Sequence, residues 1–247
     1  MQRIAIVGSG ITGLGAAHHL MQAPVARRVT LFEAGAHFGG HANTVDVTLP
    51  DARGELVTHG VDTGFLVFNE RTYPNLIRLF AELGVPTAAS DMSFSVQVPP
   101  DARGLSGLRP GLEWCGSSLG TVFAQRRNLL SPPFWRMLAD ILRFNRLCTR
   151  LAVSQQDQAP DGRLWMPLAD FLKRERFSDA FCHDYFLPMM ACIWSCPAEQ
   201  MLQFPVATMV RFCHNHGLLQ VTDRPQWFTV RGGSRHYVDK IVAGLSD

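Results

Sequence analysis

The sequence predicts an α/β fold that opens with a βαβ unit and continues into a long, mostly helical segment. Arg3-Ile4-Ala5-Ile6-Val7 is a short apolar run of the kind that forms a buried parallel strand. It stops at Gly8-Ser9-Gly10-Ile11-Thr12-Gly13 and gives way to Leu14-Gly15-Ala16-Ala17-His18-His19-Leu20, which reads as a helix. A second apolar run, Arg28-Val29-Thr30-Leu31-Phe32, then ends on Glu33. Strand, glycine turn, helix, strand and acid follow one another in register.

Each piece has a physical role in holding a dinucleotide. Gly8 permits a tight turn, Gly10 lets backbone amides approach a pyrophosphate, and Gly13 lets helix and strand pack closely. The helix start at Ile11 and Thr12 offers unsatisfied N–H groups and a partial positive charge to that pyrophosphate. Glu33, followed by Ala34, stands about 20 residues beyond the last glycine, where an acid binds ribose hydroxyls. Its charge would repel a 2′-phosphate, which disfavours NADP. Between NAD and FAD the glycine motif alone does not choose.

The later elements follow from spacing and punctuation. Residues 46–70 read as strands and a loop. Thr72-Tyr73-Pro74-Asn75 opens a helix with Thr72 as its cap, apolar positions at Leu76, Ile77, Phe80 and Leu83, and Gly84 as the stop. Ser93–Val98 alternates polar and apolar residues as a half-buried strand, which Pro99-Pro100 ends. Residues 101–125 read as glycine-rich loop. Ser131-Pro132-Pro133 starts a helix with Phe134, Leu138, Ile141, Leu142 and Phe144 or Asn145 on one face, and Arg136, Asp140, Arg143 and Arg146 on the other. The polar run 154–162 reads as a surface linker. Helices are expected at 167–176, 178–194, 197–202 and 205–216, with Pro197 and Pro205 in first turns and Gly217 as a stop. Leu218–Val221 and Gln226–Val230 read as a hairpin about Asp223-Arg224-Pro225, and Gly232-Gly233-Ser234 opens a last helix. The domain reading is a Rossmann-like nucleotide-binding segment at 1–70, a mostly helical domain at 71–225, and a return segment at 226–247.

Composition narrows the function classes. The 247 residues are 47% hydrophobic, enough to bury a sizeable core in one or two domains. Net charge is +2 with no Lys/Arg block, so a nucleic-acid partner is not expected. The first strand follows Met1 directly, leaving no room for a signal peptide, and the longest apolar run, Phe186–Trp194, contains Pro188 and is far too short for a bilayer. A cytoplasmic protein without a transmembrane segment is expected, with peripheral membrane contact left open.

The six cysteines (115, 148, 182, 192, 196 and 213) form no CxxC pair. Cys192 and Cys196 sit in an apolar stretch where free cysteine behaves as a small hydrophobe, so neither metal nor disulfides are expected. The stripe of aromatic and methionine residues between Phe177 and Phe212 reads first as core, with an apolar substrate tunnel as the alternative. No acid–base pair or nucleophile stands out. His183, Asp184, His214 and His216 are catalytic candidates by residue type only, so the catalytic residues are unassigned.

Beyond Glu33, Phe38-Gly39-Gly40-His41-Ala42-Asn43 and Gly60-Val61-Asp62-Thr63-Gly64-Phe65 complete a pattern that resembles the flavin-containing amine oxidase superfamily, phytoene-type desaturases and protoporphyrinogen oxidases included. His41 departs from the arginine usual after the Gly-Gly pair. It resembles instead a bacterial group of amine-oxidase-type predicted NAD/FAD-binding proteins, as do Ala124–Leu130, Ile193-Trp194-Ser195, Asn215–Leu219 and Trp227–Arg235.

The resemblance implies FAD as cofactor. Glu33 would lie at the adenosine ribose, Gly8–Gly13 at the pyrophosphate, Gly40 and His41 at the ribityl-phosphate region, and Thr63-Gly64-Phe65-Leu66-Val67 beside the isoalloxazine. Gly64 is expected to let the backbone approach that ring, with a simple turn glycine as the alternative. Gly232-Gly233 and Arg231 are a second candidate contact. The superfamily's second flavin motif is not found before Asp247, so a chain cut short at its C-terminus is expected. The implied function is an FAD-dependent oxidoreductase that removes hydride from an amine or an apolar, lipid-like small molecule. The alternatives are a non-catalytic lipid- or prenyl-binding module on the same fold and an NAD-binding dehydrogenase. Oligomeric state is not specified.

Overall fold

The computed structural model describes residues 1–100, 111–154, 161–194 and 196–245. Part of the expected loop (101–110), most of the expected linker (155–160), Ser195 of the Ile193-Trp194-Ser195 motif, and Ser246-Asp247 lie outside the described residues.

In chain order the elements begin β1 (Gln2–Val7), α1 (Ile11–Gln22), β2 (Arg27–Phe32), β3 (Thr44–Pro50), β4 (Leu56–Asp62), β5 (Phe68–Asn69), α2 (Pro74–Leu83) and β6 (Thr87–Ser90). There follow β7 (Ser95–Val98), β8 (Leu112–Cys115), α3 (Leu119–Val122), α4 (Pro132–Ser154), α5 (Leu168–Arg174) and α6 (Asp179–Phe181). The last are α7 (Leu187–Trp194), α8 (Ala198–Met201), α9 (Val206–Asn215), β9 (Trp227–Val230) and α10 (Arg235–Leu245). They form two compact units, one of Met1–Met92 with Pro225–Asp247 and one of Ser93–Arg224.

The first unit starts with the expected βαβ. β1 and β2 pair in parallel from Gln2↔Arg27 to Val7↔Phe32, and α1 connects them. β3 and β4 form an antiparallel hairpin from Thr44↔Asp62 to Pro50↔Leu56. β9 lies between β5 and β6, antiparallel to both. The expected hairpin with Leu218–Val221 does not form, because the β9 ladder is taken up by Phe68-Asn69 and Thr87–Ser90.

The unit's first segment extends to Met92, past the expected boundary at 70/71, because α2 and β6 bury their apolar faces in it. Phe80 of α2 packs edge-on to Phe68, with ring centroids 5.3 Å apart, and lies 5.2 Å from the ring of Tyr237. Thr72 does not cap α2. Tyr73 holds the cap position without a side-chain bond, and the Asn69 carboxamide oxygen accepts from both the Thr72 amide and its hydroxyl. Gly84 ends the helix in the left-handed region, as its position predicts.

The second unit is built on α4, a 23-residue helix. The aromatic and methionine stripe is its core: Phe171, Phe181, Phe186 and Met190 are fully buried, and the Phe181 ring stacks on Phe177 at 4.7 Å. The expected helix at 178–194 forms as α6 and α7 joined without a break by a π-helical turn at Cys182–Phe186. Pro197 and Pro205 stand one position earlier than expected, at the caps of α8 and α9. The stretch read as loop contains β8, which pairs with β7, and α3, which Ser118 and Thr121 cap reciprocally. Of the cysteines, Cys148 and Cys213 are core residues, but Cys192 is exposed.

Asp140 overturns the expected polar face of α4, because its side chain is only 2% exposed. It accepts from Arg143 at 2.9 Å, from Arg136 at 3.4 Å and from the Ser178 amide at 3.0 Å. Arg143 in turn donates to the Glu175 carbonyl and lies 4.0 Å over the Phe177 ring. Burial acts to raise the Asp140 pKa, but the hydrogen bonds from Ser178 and Arg143 prevail and hold it below its ordinary value. The carboxylate therefore ties α4 to the start of α6. Asp140→Ala should lower the unfolding free energy by about 1–2 kcal/mol, since the bonds from Arg143 and from the half-buried Ser178 amide are lost, as read by urea denaturation.

Candidate functional site

The site is assembled around Ser9, which is fully buried between β1 and α1. The Ser9 amide donates to Glu33 Oε2 at 2.9 Å, and the Ser9 hydroxyl donates to the same oxygen. The Gly39 amide donates to the Ser9 carbonyl at 3.0 Å, so the second Gly-Gly pair is laid alongside the first glycine turn. Gly10 and Gly39 form an isolated parallel bridge, and a Cβ on Gly40 would stand 3.0 Å from Gly10 Cα. The turn, the end of β2 and the Gly39-Gly40 segment are thus held on one buried serine that the motif reading passed over.

The glycines of the turn divide by what surrounds them. A Cβ on Gly13 would overlap the Gly8 carbonyl oxygen, so close packing of α1 on β1 requires glycine there. A Cβ on Gly10 meets nothing within 4 Å, although its backbone (φ −63°) suits any residue. Space is kept open on the ligand side of the turn, and packing is tight on the protein side. Gly10 caps α1 without a side-chain bond, and the first helical amides, those of Ile11, Thr12 and Gly13, have no place in the intrahelical ladder. Val7 and Phe32, exposed at the carboxyl ends of their strands, flank this opening with apolar surface. A cradle of open glycine backbone, helix dipole and carboxylate fits a dinucleotide.

Glu33 is exposed and strongly acidic. Hydrogen bonds from the Ser9 hydroxyl first, then from the Gly35 and Ser9 amides, take its pKa from 4.5 down to about 2. Oε2 takes both Ser9 donors, so Oε1, which accepts from the Gly35 amide, is the oxygen left for a further donor such as a ribose hydroxyl. Ala34 follows on the exposed surface.

The remaining candidates follow the chain away from the cradle. His41 is exposed, and its carbonyl accepts from the Phe65 amide at 2.8 Å. A Cβ on Gly64 would overlap that carbonyl, so glycine is required where these two segments cross. Thr63 is tied to Asn43 through its amide and hydroxyl. Phe65 packs edge-on to Tyr73, Leu66 accepts from the Thr229 hydroxyl through its carbonyl, and Val67 is half-buried.

Gly232-Gly233 belongs to a different device. The Asp62 carboxylate accepts from the Thr44 hydroxyl at 2.6 Å, the Ser234 amide at 2.9 Å and the Ser234 hydroxyl at 2.7 Å, while Thr44 accepts from the Arg235 amide. Asp62 thereby caps α10, and Gly233 is where α10 presses against Thr44. Sequence reading quoted Asp62 only as part of a motif, because its partner lies 172 residues away. The Arg231 side chain is exposed.

The candidates by residue type are dispersed or structural. His183 is exposed, and the Asp184 carbonyl accepts from the Trp114 indole. His214 is half-buried, whereas His216 stacks on Phe212 with ring centroids 4.0 Å apart. Burial pushes the Cys213 thiol up to about 12, which marks it as an inert core residue.

Two outcomes follow for stability. Gly10→Ala should leave the unfolding free energy within about 0.5 kcal/mol of the parent, and Gly13→Ala should cost about 1–3 kcal/mol through overpacking, both by chemical denaturation. The depressed pKa of Glu33 means its stabilising contribution is complete above about 4.5 and lost as pH falls towards about 2. The melting temperature of the parent should therefore exceed that of Glu33→Gln at pH 6 and converge with it towards pH 2.

Residues 6–83 match the model of the NAD(P)-binding Rossmann-like domain. No curated protein matches the chain. Among solved structures, putrescine oxidase bound to putrescine is similar over 100% of this chain and 49% of its own, at 20% identity and a TM-score of 0.61. Cyclohexylamine oxidase from Brevibacterium oxydans is similar over 99% of this chain and 49% of its own, at 17% identity and a TM-score of 0.56. A protoporphyrinogen oxidase-like protein from Exiguobacterium is 19% identical over 99% of this chain and 51% of its own, with a TM-score of 0.50. The chain spans about half the length of these structures. Identities this low speak to fold alone, and the cradle built on Ser9 therefore lies in an NAD(P)-binding Rossmann-like domain within a chain that has the fold of the amine oxidases.

Proposed function

We propose that this chain carries the cofactor-binding segment and substrate (cap) domain of an FAD-dependent oxidoreductase of the amine oxidase type. The observation that carries the reading is the one-sided turn: Gly10 faces open space while Gly13 and Gly40 are packed against backbone. That is the arrangement a pyrophosphate needs. The fold shared with putrescine oxidase and cyclohexylamine oxidase supports a flavin in preference to a nicotinamide.

Bound there, FAD would supply a two-electron acceptor for hydride from substrate. Glu33, kept ionised by Ser9 and Gly35, would accept hydrogen bonds from the adenosine ribose. The first amides of α1 would face the pyrophosphate, and Gly40 with His41 would continue along the cofactor. Thr63–Val67 would carry the chain past the ring, held in place by Asn43, His41 and Thr229. The unit Ser93–Arg224, with its aromatic and methionine core, would be the substrate (cap) domain. Its apolar character favours a lipid-like or unsaturated small molecule over a polyamine.

The cofactor segment would run beyond the expected 1–70 to Met92, and the return segment would begin at Pro225. A cytoplasmic location is proposed with them; among the described residues, no helix is long and apolar enough to cross a membrane. A non-catalytic lipid- or prenyl-binding module is the second reading, and the open space at Gly10 argues against it.

The test is the visible spectrum of the purified chain after incubation with FAD, with released cofactor identified chromatographically. Stoichiometric FAD is expected. Gly10→Val should fold normally by circular dichroism yet lose at least tenfold in FAD affinity, because its side chain occupies the cradle. Colourless protein that also ignores added FAD would sink the reading for this chain. Bleaching of the bound flavin by amines but never by unsaturated lipids would reverse the substrate preference.

A further inference from the structure

We propose that His18, His19 and Glu82 form a binding site for a divalent transition ion of zinc's kind. The two histidines lie near the C-terminal end of α1, and Glu82 lies in the last turn of α2. One ligand atom from each residue lies within 4.8 Å of the other two. His18 Nε2 stands 3.4 Å from Glu82 Oε2. Two ligands on one tetrahedral zinc, each about 2.0–2.1 Å from it, are separated by about 3.3 Å. That pair is therefore already spaced as the edge of a coordination tetrahedron, and His19 needs only a side-chain rotation to join it.

The surroundings favour a cation. His18 Nε2 is also 2.9 Å from Gln22 Nε2. A bound ion would take Gln22's place at that nitrogen, with the Glu82 carboxylate opposite it. Both helices bring their C-terminal ends here, and the negative ends of their dipoles attract positive charge. Arg78 approaches the other carboxylate oxygen, Oε1, at 3.9 Å and leaves Oε2 to the site. The side chains of His18 and Glu82 are 13% and 36% exposed, so an ion can enter from solvent. Two imidazoles and one carboxylate suit zinc, nickel or copper and leave a coordination position for water.

The ion would clamp α1 to α2. His18 is eight residues along the helix from the Gly10 cradle, about 12 Å at the α-helical rise, so the site is separate from the cofactor and independent of the function proposed above. Sequence reading expected no metal because it examined cysteine spacing, and 64 residues separate His18 from Glu82.

The test is isothermal titration of zinc chloride into the tag-free, EDTA-stripped chain, with thermal unfolding followed in parallel. One saturable equivalent and a raised melting temperature are expected. His19→Ala and Glu82→Gln, both at exposed positions, should fold as the parent does and lose at least tenfold in zinc affinity and most of the thermal shift. His37→Ala, at an exposed histidine elsewhere, should bind as the parent does. Absence of saturable binding, or equal binding by the parent, His19→Ala and Glu82→Gln, as capture by Cys192 or another thiol would give, overturns the proposal.

Discussion

Ser9 is where the cofactor unit is tied together. A serine buried without solvent must satisfy its amide, carbonyl and hydroxyl inside the protein. Here the Glu33 carboxylate takes the first and last, and the Gly39 amide takes the carbonyl. The strand ends that carry the turn, the acid and the second glycine pair are thereby fixed by one residue's hydrogen-bonding needs. The same bonds keep Glu33 ionised without burying it. Cradle geometry and cradle charge share one physical cause.

The sequence made local features legible because local physics decides them. A strand that stops at Gly8-Ser9-Gly10 and restarts as a helix can be read from neighbours alone, and so can the termination of α2 at Gly84. What escaped reading was decided at a distance. Trp227–Val230 has the composition of a hairpin arm, but its partners are Phe68-Asn69 and Thr87–Ser90. Asp140 has the spacing of a solvent-facing charge on α4, yet Ser178 and Arg143 offer it enough donors to make burial tolerable. Gly64 lies against the His41 carbonyl, a packing demand that its own neighbours in the chain do not announce.

The two units solve the packing problem differently. Ser93–Arg224 relies on large interlocking side chains, with Phe144 within 5.6 Å of the rings of Phe177, Phe181 and Phe186. Such aromatic contacts add to area burial without demanding exact backbone placement. The cofactor unit relies on missing side chains: the Gly13–Gly8, Gly40–Gly10, Gly64–His41 and Gly233–Thr44 contacts are all approaches that a Cβ would block or crowd. Substitution should be absorbed by rotamer changes in the first case and by backbone displacement in the second.

The Asp62 cap sets an order of events during synthesis. β3, β4 and the glycine cradle leave the ribosome early, but Ser234 and Arg235, which complete the bonds of Asp62 and Thr44, emerge only after the whole of Ser93–Arg224. Until then β5 and β6 lack the strand that bridges them, and Phe68 and Phe80 lack the Tyr237 side of their core. The helical unit, whose contacts all lie within one continuous segment, is free to fold first. Closure of the nucleotide unit is then a late, long-range step whose entropic cost grows only logarithmically with the length of the intervening chain.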